Sequence, residues 1–112
     1  MIKQHISIGF FSSQTGLSVR ALRLYDEVGL LKPAVVTNHN KYRYYKPEQI
    51  PVAQQIKTYR ENELPLEDIR QILENPPQAS QTLKMHLERL RQRQLQQQTM
   101  IGQLEQMLHE TR

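Results

Sequence analysis

Apolar residues recur along the chain with two different periods, and the longest run of a single period lies in the last third. Leu83, Leu87, Leu90, Gln94, Gln97, Ile101, Leu104 and Leu108 fall at alternating spacings of four and three, a heptad register held for more than four heptads. From Gln78 to about Glu110 there is no proline, which predicts one helix of some 32 residues. At 1.5 Å per residue it would be about 48 Å long, with an apolar stripe that only a partner helix can cover. Gln94 and Gln97 place amides in the seam, lowering its stability while helping to fix register and partner choice. Dimerisation is the direct reading, and the heptad does not distinguish parallel from antiparallel pairing.

The first two thirds carry shorter patterns. Ser7 caps a helix over Ile8–Thr15, with Ile8, Phe11 and Thr15 on one side, and Gly16 suits its end. Ser18 caps a second helix that stops at Gly29. At 100° per residue Ala21, Leu22, Leu24, Tyr25 and Val28 share its docking face, and Val19, Arg20, Arg23, Asp26 and Glu27 share the other. Ala34-Val35-Val36 and Tyr42-Arg43-Tyr44 read as strands joined by the turn formers Thr37-Asn38-His39-Asn40. Alternation puts Tyr42 and Tyr44 on one face, to pack, and Arg43 and Tyr45 on the other, to face outward. A third helix follows Pro47, starting there or at Pro51, with Ile50, Val52, Ala53 and Ile56 inward and an end near Asn62. A fourth spans 64–73 with Leu66, Ile69, Ile72 and Leu73 as its stripe, and Asn75-Pro76-Pro77 stops it. The expected organisation is mainly α: a winged helix-turn-helix domain over 1–77 and a dimerising coiled-coil helix over 78–112.

Charge sharpens this picture. Residues 1–60 carry nine Lys/Arg against three acids, net +6, while residues 61–112 carry six against eight, net −2. The basic half thus suits an anionic partner, for which nucleic acid is the usual candidate. There is no cysteine, so disulfides, thiolate ligands and thiol redox sensing are excluded for this sequence. The four histidines lie far apart without metal-ligand spacing, so neither a metal nor a cofactor is expected. No clustered nucleophile, base and acid can be assembled, which argues against an enzyme. No apolar run reaches a membrane span and the N-terminus lacks a signal-peptide pattern, so the expectation is a cytoplasmic protein that engages no membrane.

A short capped helix after a Gly-containing turn enters the DNA major groove by its N-terminal end in helix-turn-helix proteins. Ser18, Val19, Arg20 and Arg23 lie at that end, with Val19 and Arg20 placed to influence base preference. Lys41, Arg43 and Lys46, interleaved with Tyr42, Tyr44 and Tyr45, make an edge able to donate to phosphate oxygens. Arg60, at the end of the third helix, is a further phosphate contact by position.

Thr15-Gly16-Leu17-Ser18, the run from Ala21 to Leu31, Tyr42-Arg43-Tyr44-Tyr45, and Leu66-Glu67-Asp68-Ile69 ahead of a long helix occur in an order that resembles the N-terminal region of MerR-family transcription regulators. The family's Arg-Tyr-Tyr-Asp/Glu motif stands here as Arg23-Leu24-Tyr25-Asp26, which carries a DNA-contacting role onto Arg23 and Tyr25, and Glu63 stands where relatives often have glycine. The resemblance implies a homodimer with antiparallel long helices on a pseudo-palindromic promoter, distorting the DNA between promoter elements so that RNA polymerase engages both. The Tyr-Arg-Tyr-Tyr wing is most similar to the multidrug-responsive branch. The effector domain of such relatives is not within these 112 residues, so this stretch alone is expected to act independently of effector. An excisionase-like protein that bends DNA without regulating transcription is the alternative, and a coiled-coil adaptor that binds no DNA is a third reading.

Overall fold

The computed structural model describes residues 4–111. In chain order the elements are β1 (Ile6–Ser7), α1 (Ile8–Thr15), α2 (Val19–Glu27), β2 (Val35–Val36), β3 (Arg43–Tyr45), α3 (Gln49–Glu61), α4 (Leu66–Glu74), a 3₁₀ turn (Pro76–Gln78) and α5 (Ala79–Glu110). The chain divides into two compact units, one up to Arg70 and one from Gln71 onward.

Local chemistry sets the first unit's helix boundaries. The Ser7 hydroxyl accepts from the Phe10 N–H at 3.3 Å, and the Ser18 hydroxyl accepts from the Ala21 N–H at 3.0 Å, so both short helices start on a side-chain cap. Between them Gly16 takes φ 79, and the Leu17 N–H donates to Thr15 Oγ1 while Ser12 Oγ donates to the Leu17 carbonyl. Those bonds turn the buried Leu17 side chain inward. At the far end of α2, Gly29 has φ 74, the Leu30 N–H bonds the Tyr25 carbonyl at 2.8 Å and the Gly29 N–H bonds the Asp26 carbonyl at 3.1 Å. This is a Schellman stop, for which glycine is the natural residue. The same 6→1 closure recurs after α3, where the Leu64 N–H bonds the Tyr59 carbonyl at 3.0 Å. There Glu63 occupies the left-handed position at φ 63, a conformation that glycine favours.

Phe11, Leu22, Tyr45, Ile56 and Ile69 are the largest fully buried side chains, and the Phe11 and Tyr45 rings stack with centroids 4.2 Å apart and planes 6° from parallel. The sheet has the order β1-β3-β2, antiparallel throughout, with Ile6 opposite Tyr45 and Val35 opposite Tyr44. The hairpin is as expected from the sequence, but the lead-in strand β1 also pairs with β3 on its other side.

Three expectations are corrected, and one open alternative, the start of the third helix, is resolved. Leu24 and Val28 are 44% and 38% exposed, so the docking stripe of α2 narrows to Leu22 and Tyr25, with Ala21 half-buried. A nine-residue helix in a small domain buries only its central line, and those two positions lie at the stripe's margin. Tyr45 is fully buried rather than outward, because its side of β3 lies over Phe11. Tyr42 is exposed, although it does share a face with Tyr44 as alternation requires. α3 begins at Gln49, ahead of Pro51, since a proline in the first turn forfeits an N–H that has no helical acceptor anyway.

In the second unit α5 is a single helix of 32 residues. Leu83, Leu87, Ile101, Leu104 and Leu108 are exposed, Leu90 is half-buried, and Gln94 and Gln97 lie open between them. Thr82 and His86 are buried, a burial the heptad register did not foretell.

Candidate nucleic-acid interface

The N-terminal half of α2 lines a surface depression formed by Ser18, Val19, Arg20, Ala21, Arg23, Leu24 and Glu27. The Ser18 cap fixes where the helix begins and hence where these side chains emerge. Arg20 and Arg23 are exposed, and neither guanidinium has a partner among the described residues. Two unpaired arginines on one turn are free to meet phosphate or base edges. Tyr25 is only 5% exposed, so its expected DNA contact is corrected: it faces the core on the side of α2 opposite Arg23.

The wing is tied to this helix through one carboxylate. Asp26 Oδ2 accepts from Arg43 Nε at 2.8 Å, and Oδ1 lies 3.5 Å from Lys32 Nζ. Holding Nε fixes the plane of the Arg43 guanidinium and leaves its two terminal nitrogens as forward donors, while the side chain stays a quarter exposed. Arg43 is therefore anchored to α2, where the sequence showed only that it faces outward. The wing turn is closed by Thr37, whose Oγ1 donates to Asn40 Oδ1 and accepts from the Tyr42 N–H at 3.0 Å. Lys41 is exposed at φ 56, and Tyr42 beside it meets Tyr44 edge-on with ring centroids 5.5 Å apart. Tyr45 has no place on this edge. Its hydroxyl has no hydrogen-bond partner among the described residues, and its pKa is raised to about 12 by burial and then by the nearby Asp26 charge, with Arg43 opposing.

Arg60 is exposed at the end of α3, with Nη1 donating to the Leu64 carbonyl at 2.8 Å. It both closes its own turn and keeps other N–H groups outward. Sequence reasoning missed Asp26 as an anchor, since a separation of 17 residues carries no periodic signal. It also missed Arg70, which donates from Nη1 to the Gly29 carbonyl at 3.1 Å and from Nη2 to the Val28 carbonyl. Among the described residues no group of three or more acidic, histidine or cysteine side chains is placed to hold a metal. No described helix is long and apolar enough to cross a membrane.

A capped helix pair, a wing and a basic recognition face form one arrangement, and residues 6–76 match the family described as MerR HTH family regulatory protein. The chain belongs to the MerR family. It is 48% identical over 62 residues to the HTH-type transcriptional regulator SkgA of Caulobacter vibrioides, a match covering 55% of this chain and 24% of that protein. The chain thus spans about a quarter of the length of this MerR-family relative. Among solved structures, the N-terminal part of the Bacillus subtilis multidrug transporter activator, MtaN, superposes with a TM-score of 0.79 at 26% identity, covering 91% of this chain and 96% of that one. EcmrR, solved in complex with DNA, has a TM-score of 0.83 at 21% identity over 93% of this chain and 38% of its own, a likeness of fold. SkgA is named as a transcriptional regulator, and a 37% identical Bacillus subtilis relative as a regulator of multidrug-efflux transporter 1; neither is named as an enzyme.

Proposed function

We propose that this chain is a DNA-binding transcriptional regulator of the MerR family. It binds a pseudo-palindromic promoter as a homodimer and distorts the duplex between promoter elements, where RNA polymerase is its partner. The observation that carries this reading is the pairing of an open, two-arginine recognition helix with a wing anchored to that same helix through Asp26. Dimerisation is assigned to 78–112 through Leu83, Leu87, Leu90, Gln94, Gln97, Ile101, Leu104 and Leu108, and DNA binding to 1–77. The exposure of most of that apolar register supports the division, because five large apolar side chains along one register gain most by pairing. Ser18, Val19, Arg20 and Arg23 read the groove, and Lys41, Tyr42, Arg43 and Arg60 hold the backbone. The name of the MtaN structure, and a 37% identical Bacillus subtilis regulator of multidrug-efflux transporter 1, support placing the chain near the multidrug-responsive branch.

The test separates positioning from reading. Arg60→Ala should weaken binding to all duplexes about equally and lower the salt slope by about one. Arg20→Ala should instead change base preference, measured by selection from a random duplex pool. Equal loss on every sequence for Arg20→Ala would remove it from the reading set. Footprints at recombination ends, away from promoters, would favour an excisionase-like role.

A further inference from the structure

We infer that Arg70 is a positioning residue for DNA reading: its guanidinium grips the C-terminal end of the recognition helix and thereby sets the pose of the base-reading end. The inference rests on the DNA-binding reading above and adds a residue outside the DNA-facing set. Each of its three nitrogens has a partner. Nη1 donates to the Gly29 carbonyl at 3.1 Å, Nη2 donates to the Val28 carbonyl, and Nε lies 3.4 Å from Glu67 Oε2 one turn back on α4. Val28 and Gly29 are the cap and the left-handed stop of α2, so their carbonyls lie past the last helical hydrogen bond and need an outside donor. α2 has no basic residue in its own last turn, and Arg70 supplies from 41 residues away the cation that a helix C-terminus favours. Glu67 restrains the guanidinium's plane, and the Arg70 side chain is only a quarter exposed.

The lever is short. α2 has nine residues, so Val19 and Arg20 lie about 13 Å from the gripped end, and a small tilt there moves the arginines by a sizeable part of a hydrogen-bond length. Phosphate contacts tolerate such a shift, but bidentate base contacts do not. Loss of the grip should therefore erode discrimination while leaving non-specific affinity in place. A residue that merely stabilised the fold would lower the active fraction and leave the ratio of the two affinities unchanged.

The experiment uses the full chain, the tightest duplex it selects from a random pool, and a scrambled duplex of equal length, at one fixed salt concentration. Arg70→Met, which keeps the apolar stem, should cut the selected-to-scrambled affinity ratio by about tenfold, the order of one bidentate base contact. The scrambled duplex should be bound within about twofold of wild type on the same grounds. Arg70→Lys keeps the charge without the fork and should move the ratio in the same direction by less; it also serves if the methionine variant does not fold. An unchanged ratio in either variant, or parallel loss on both duplexes, overturns the inference. Hydrogen exchange on the DNA-free protein tells this failure from failure of the DNA reading. The Leu30 and Leu31 amides, which bond the Tyr25 carbonyl, should exchange faster in Arg70→Met while those of α3 keep their protection. If wild type selects no duplex, the DNA reading fails and this inference with it. Unchanged Leu30 and Leu31 exchange would overturn the grip itself.

Discussion

Tyr45 shows how far a single residue can depart from its sequence reading. Its ring stacks on Phe11 in the core, yet its hydroxyl finds no hydrogen-bond partner there. Tyr45→Phe keeps the ring and removes the orphaned hydroxyl, so it should stabilise the fold by about 1 kcal/mol in chemical denaturation at neutral pH. The alkaline limb gives a second readout. Because the folded pKa is raised from 10.0 to about 12, the neutral phenol's contribution is full below pH 10 and is lost as pH rises through about 12. Wild type should lose stability over that window relative to Tyr45→Phe, and parallel pH profiles for the two proteins would contradict the assignment. The outward placement of Tyr45 went wrong for a definable reason. Alternation in a three-residue strand fixes which side chains share a face but not which face is covered, and Phe11, 34 positions away, decides that.

At the scale of elements, what was legible is what is local. Ser7, Gly16, Ser18 and Gly29 set the ends of α1 and α2 through bonds spanning at most five residues, and the sequence places those ends within a residue or two of where they fall. What was not legible is the fastening between elements, of which Asp26 is the clearest case. It joins α2 to β3 through Arg43, where sequence spacing alone pairs it with Arg23 on its own helix. Two opposing effects make Asp26→Asn informative. Removing a negative charge beside a phosphate-binding edge should tighten DNA binding by simple Coulomb attraction, whereas releasing Arg43 from its anchor should weaken it. The anchor should prevail, giving roughly a fivefold net loss of affinity on all duplexes, about 1 kcal/mol, which is what remains of one charge-assisted hydrogen bond after the opposing Coulomb gain. Titration by fluorescence anisotropy checks the sign, and tighter binding would mean that Arg43 does not act as an anchored donor.

For the whole molecule, the proposed homodimer is the assembly that places two recognition helices on one operator. Aspartate at both Leu87 and Leu104 would place unpaired charge in the seam and should dissociate the dimer, giving a monomer in sedimentation at micromolar concentration. A persisting dimer would move the interface elsewhere. That measurement depends on an intact N-terminal strand, for a reason that lies in the sheet. β1 has only two residues, yet it covers the edge of β3 at Tyr44 and Tyr45, and its Ser7 is also the cap of α1. Proteolytic loss of the chain through Ser7 would uncap the first helix and bare unpaired backbone donors and acceptors at Tyr44 and Tyr45 at once. An open strand edge recruits other chains. A clipped preparation would then associate through its wings, by edge-to-edge pairing that no substitution in α5 can abolish, and would be mistaken for a dimer that tolerates charge in its seam.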